Sequence, residues 1–70
     1  MKLSARNVLP GTVTKVTKGA VNAEVDIRLK GGDTVVSIIT MGSLKTLEIK
    51  KGKKVFAVIK ASNVMVGIED

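Results

Sequence analysis

The sequence predicts an all-β fold: a five-stranded, OB-like barrel with one short helical turn between its third and fourth strands. Three observations predict it. Stretches rich in valine, isoleucine and threonine are interrupted by glycine and short polar clusters, the punctuation of short strands joined by turns. Val21, Ala23, Val25, Ile27 and Leu29 alternate with Asn22, Glu24, Asp26 and Arg28, the period of two of a strand with one buried and one wet face. Helical spacing occurs once, where Leu44 and Leu47 stand three apart just after Ser43.

The elements follow in order. A first strand is read in "GTVTKVTK", closed by Gly19, and the alternating stretch from Val21 to Leu29 is the second. Gly31 and Gly32 before Asp33 supply the positive backbone dihedrals of a hairpin turn. The third strand runs from about Thr34 to Thr40, and Ser43 is placed to cap the helical turn that follows. "KKGKK" reads as a turn, and "VFAVIK" and "NVMVGIE" as the fourth and fifth strands, separated by Ala61 and Ser62.

Seventy residues make a single domain, 1–70, with no linker or repeat of weight. A domain of this size buries only about 60% of the surface its unfolded chain exposes, so its core is marginal. Without cysteine or histidine there is neither a disulfide framework nor the usual ligand set for a metal cation, which leaves oligomerisation as the support. Apolar residues reach 44% although Phe56 is the sole aromatic, more apolar matter than a lone chain of this length can hide. Trading strands or packing edges between subunits is a common remedy for exposed strand edges. No run resembles a signal peptide or a membrane span, so a cytoplasmic protein without a membrane partner is expected. A net charge of +6 attracts anions without choosing among them.

Catalysis is not expected. With no histidine, a general base would have to be a carboxylate or a perturbed lysine. Glu24 and Asp26 share a strand face, but period two is the strand's own geometry and Arg28 answers their charge, so a solvated face explains them better than a paired-carboxylate site. A basic OB-like nucleic-acid-binding module is the alternative function, through Lys50, Lys51, Lys53 and Lys54. It is disfavoured, because single-strand binders stack bases on several aromatic platforms and this chain has one. Neither "KGG" nor "KKGKK" has the spacing of a phosphate loop.

What survives is a compact oxyanion site. A fully deprotonated dianion needs donors and no acceptors, and backbone amides, hydroxyls and fixed cations all qualify. "SARN" at Ser4 to Asn7 and "KASN" at Lys60 to Asn63 each set such donors beside a positive charge, at the two ends of the chain. Arg6 and Lys60 supply the charge. Ser4, the Ala5 and Asn7 region, Thr40, Ser43 and Ser62 supply hydroxyls or amides. Protonated phosphate wants an acceptor as well, so a donor-only pocket selects against it. The plainer reading makes Ser4 and Ser43 caps or turn formers and Arg6 a surface charge.

The whole pattern resembles a family. "SARN", "G-x-V" at Gly11 to Val13, "KG-x-V-x-AEV" at Lys18 to Val25, the glycine pair Gly31 and Gly32, "VSIIT" at Val36 to Thr40, the "T-x-x-S" of Thr40 and Ser43, and "VIKAS-x-V" at Val58 to Val64 resemble the molbindins. These are the Mop-type small molybdate-binding proteins of the TOBE class. The resemblance covers nearly the whole chain and departs from the pattern mainly around Lys50 to Lys54. It implies a homo-hexamer, a trimer of dimers with shared strands, holding molybdate or tungstate between subunits for storage or buffering, with no cofactor and no chemistry on the ion. It also implies that Ser4, Ala5, Arg6, Lys60, Ala61 and Ser62 come from one subunit and Thr40 and Ser43 from its neighbour. A second class of oxyanion site is expected around Lys18, Gly19, Ala20 and Val21.

Overall fold

A computed structural model describes all residues, Met1–Asp70. Four strands, one short α-helix and one 3-10 turn are present: β1 (Asn7–Lys18), β2 (Asn22–Leu29), β3 (Thr34–Thr40), α1 (Met41–Thr46), β4 (Lys54–Ile59) and the turn Ala61–Asn63. All neighbouring strands are antiparallel, in the order β3-β2-β1-β4.

β1 organises the sheet and begins at Asn7, four residues before the glycine at which the sequence alone placed it. Its first half pairs with β4, from Asn7↔Ile59 to Thr12↔Lys54, and its second half with β2, from Gly11↔Leu29 to Lys18↔Ala23. Pro10 breaks the usual strand signal, yet it sits where β2 has not begun, so the missing N–H leaves no ladder bond unmade on that side. The two ladders overlap at Gly11 and Thr12. A Cβ at Gly11 would stand 2.6 Å from Ile27 Cγ2 and 2.8 Å from the Arg28 carbonyl oxygen, so only glycine lets β2 approach this closely. A register shift between Val13 and Lys15 bends the strand just beyond.

The alternation in the second strand is realised as expected. Ala23, Val25 and Ile27 are buried and, with Val13, Leu44 and Ala57, form a core of only 6 residues. β3 runs from Thr34 to Thr40 as expected, and the turns carry their positive φ values at Gly32 and Gly52. The helical turn is present, but Thr40 is its cap: the Thr40 hydroxyl accepts a hydrogen bond from the Ser43 amide at 3.0 Å. Ser43 is the third helical residue, because a capping hydroxyl serves an amide two or three positions ahead of it. Leu44 is buried by this geometry, whereas Leu47 closes the helix and is 56% exposed.

The fifth strand is not formed. Residues 64–70 carry no strand, and Val64, Met65, Val66 and Ile68 stand 50%, 93%, 91% and 91% exposed. A strand needs a neighbour for its backbone groups; β2 is paired on both flanks along its length, β1 is shared between β4 and β2, and residues 64–70 pair with none of the four strands. The sheet curls, so that β3 and β4, at opposite ends of the strand order, both border one apolar groove that includes Ile27, Val35, Ile38, Phe56 and Val58. This is an open barrel with a missing stave. The accessible surface is 5833 Å², whereas a compact monomer of this mass exposes about 4,200 Å².

Candidate oxyanion-binding site

The expected donors fall into two groups. Pairing of Asn7 with Ile59 at the start of β1 brings the Ser4–Ala5–Arg6 segment and the Lys60–Ala61–Ser62 segment to the same end of the sheet. Asn7 fixes this juncture by donating from Nδ2 to the Ile59 carbonyl at 3.2 Å. Lys60 is the residue before the 3-10 turn, which is closed by Asn63 N–H to the Lys60 carbonyl at 2.9 Å and Val64 N–H to the Ala61 carbonyl at 3.2 Å. Such a turn gives its first amides no partner of its own, so those of Ala61 and Ser62 are not used by its hydrogen bonds. Two cations, two hydroxyls and free turn amides therefore cluster where the sequence expected half of a site.

Thr40 and Ser43 are elsewhere. Thr40 pairs with Asn22 at the far end of β2, beside the β1–β2 hairpin rather than beside Arg6. β1 has 12 residues, a span of roughly 35 Å if straight, and it separates the two groups within one chain. The Thr40 hydroxyl donates to Ser43 Oγ at 3.0 Å while accepting from the Ser43 amide, which leaves the Ser43 hydroxyl proton free. Except for Ala5, which is half-buried, all eight candidates are exposed.

Lys18, Gly19, Ala20 and Val21 form the hairpin at the Thr40 end. Gly19 N–H closes the hairpin on the Asn22 carbonyl at 2.8 Å, and the Val21 carbonyl accepts from Met41 N–H at 2.9 Å, tying the loop to the start of α1. The site expected second is thus the structural neighbour of Thr40 and Ser43. Lys18 also lines a groove with Lys45, Glu48, Lys50 and Lys53, and Lys53 Nζ donates to the Leu47 carbonyl at 2.6 Å. In this groove four lysines face one glutamate. Asn7, expected among the donors of this end, instead commits its side-chain amide to the Ile59 carbonyl at the first ladder position and so holds the juncture of β1 and β4 together.

No group of three or more His, Cys, Asp or Glu side chains is placed to hold a metal cation. No helix is long and apolar enough to cross a membrane.

The TOBE domain family matches residues 3–66. The chain belongs to this family, among its Mop-type members. A probable molybdenum-pterin-binding protein of Haemophilus influenzae is 45% identical over 69 residues, spanning 99% of this chain and 100% of that one. Among solved structures, a molybdate-binding protein from Sporomusa ovata superposes with a TM-score of 0.91 at 38% identity, over 97% of this chain and 100% of its own. The cytoplasmic molybdate-binding protein ModG, solved with molybdate bound, superposes with a TM-score of 0.94 at 48% identity, over 99% of this chain and 49% of its own. For a TOBE domain of this type the barrel architecture is therefore shared across the whole chain. These relatives are binding proteins by name, and a binding role rather than catalysis is what this membership supports.

Proposed function

We propose that this chain binds molybdate and tungstate at sites completed between copies of itself, and stores or buffers the oxyanion in the cytoplasm without transforming it. One observation carries the intersubunit reading: the donors of Ser4, Ala5, Arg6, Lys60, Ala61 and Ser62 are at one end of the sheet and those of Thr40 and Ser43 at the other. A second copy joins the halves. Each exposed donor group then becomes one wall of an enclosed site, where charge-assisted hydrogen bonds to a dianion are strongest.

The rest of the chain supports assembly. Its surface exceeds that of a compact monomer by roughly 1,600 Å², twice the area of about 800 Å² that each partner contributes to a standard interface. The unpaired segment 64–70 has the apolar, β-branched composition of a strand and no strand partner in its own chain. The groove between β3 and β4 is apolar and strand-shaped. Exchange of this segment between copies closes both barrels, and a homo-hexamer built as a trimer of dimers accommodates it. Lys18 to Val21, beside Thr40, is the place for the second class of oxyanion site. The nucleic-acid alternative has no relative in its favour and keeps the single aromatic against it.

The test is a calorimetric titration with molybdate, tungstate, sulfate and phosphate on protein whose mass in solution is measured in parallel. Saturable binding of the first two to an oligomer, with weak response to phosphate, is the expected result. A monomer that binds molybdate with full affinity would falsify the intersubunit site.

A further inference from the structure

The outer face of the sheet carries a second concentration of charge that the oxyanion reading does not use. Thr12 pairs with Arg28 on one side and with Lys54 on the other, so the three stand in a row across β2, β1 and β4. Two residues along each strand the side chains return to the same face, which puts Lys30, Pro10 and Phe56 in the next row. All six line one open cleft of about 500 Å³, and none of the residues lining it is acidic. That volume is within the range of roughly 300 to 1,000 Å³ that holds small ligands.

The cleft is unfavourable when empty. Arg28, Lys30 and Lys54 share the cleft with no acidic residue to answer them, and Phe56, the chain's sole aromatic, remains 55% exposed beside them. Asp26, the next residue of β2 on this face, stands opposite Lys15 in the register and so has its own counter-charge. A ligand that offsets both penalties carries negative charge at one end and a flat apolar surface at the other. Backbone spacing sets its size: Arg28 and Lys54 are two strand separations apart, about 10 Å, and Lys30 is about 7 Å further along β2 from Arg28.

We propose that this cleft binds a nucleotide-sized ligand, with its aromatic base against Phe56 and its phosphates held by Arg28, Lys30 and Lys54. Arginine suits the phosphate end because its planar fork donates two parallel hydrogen bonds. The single aromatic favours one base over a polynucleotide, which stacks successive bases on successive platforms. The cleft lies apart from the donor clusters at the two ends of β1 and shares only Phe56 with the groove between β3 and β4, so its phosphate end is tested independently of oxyanion binding.

The experiment is a calorimetric titration of the full-length protein, in its native assembly, with ADP, pyrophosphate, adenosine and a short oligothymidine. ADP is expected to saturate and to bind at least about tenfold tighter than either adenosine or pyrophosphate, since only ADP engages both ends of the cleft. Phe56→Leu should weaken ADP by about threefold or more and leave pyrophosphate unchanged. Arg28→Gln and Lys30→Gln should weaken both ligands, with molybdate affinity and oligomer mass at wild-type values; Lys30→Gln, in the turn after β2, also serves if Phe56→Leu fails to assemble. Equal affinity for ADP and pyrophosphate would reduce the cleft to a bare cation patch and overturn the proposal. So would the absence of saturable ADP binding, or oligothymidine binding more tightly than ADP.

Discussion

The two ends of β1 carry different halves of the proposed donor set, and they are built differently. At the Asn7 end, long-range pairing with Ile59 gathers residues from both ends of the chain, so Arg6 and Lys60 come to the same end of the sheet although 54 positions apart in the sequence. At the Lys18 end the donors are local: Thr40 and Ser43 are three residues apart and are held by a helix cap. The first end depends on the tertiary fold and concentrates cations. The second is nearly a sequence-local device that offers hydroxyls. A site that takes one half from each end must take them from different copies, so ligand binding and assembly are linked, and a bound dianion stabilises the oligomer by mass action.

The comparison is broken most severely by removing what joins two copies. Deletion of residues 64–70 should collapse the oligomer towards a monomer, since Val64, Met65, Val66 and Ile68 each contribute about 1.5 to 3 kcal/mol when fully buried. Sedimentation would show it, and an unchanged mass would mean that the tail is not exchanged. Lys60→Met comes next. It should weaken molybdate by more than about tenfold, because a hydrogen bond to a charged group contributes about 1.5 to 3 kcal/mol, whereas unchanged calorimetric affinity would remove Lys60 from the site.

Thr40→Ala tests the local end. Loss of the cap should lower stability by about 0.5 to 2 kcal/mol and weaken molybdate along with it, while Thr40→Ser should restore both. Thermal unfolding and titration of the same samples separate the two effects. Arg6→Lys should have a smaller effect, about threefold, since it keeps the charge and loses the planar fork; equal affinity would make Arg6 a distant charge only. The smallest effect is expected from pH. With no histidine, molybdate affinity should be nearly flat between about pH 6 and 8, and a steep titration would point to an unrecognised acceptor group.

Much of this fold was legible in the sequence, for identifiable reasons. β2 and β3 could be read because period-two alternation is imposed by the strand itself and glycine pairs mark the turn between them. The early start of β1 could not, because Pro10 opposes a strand locally and is tolerated only where β2 has not begun. The cap was assigned to Ser43 rather than Thr40 because both residues are competent and only backbone dihedrals show which one lies outside the helix. The last stretch has the composition of a strand and no partner in its own chain, a fact about pairing that composition does not contain.

By itself the sequence determined the fold class, the alternating core face, the positive charge and the types of donor, since these follow from residue chemistry and backbone periodicity. Tertiary structure alone decided where the donors lie. The order β3-β2-β1-β4 brings Arg6 and Lys60 to one end of the sheet and places Thr40 at the other. It also gathers Arg28, Lys30, Lys54 and Phe56 on one face. Which side chains share a site depends on strand register, and register is fixed by packing between segments far apart in the chain.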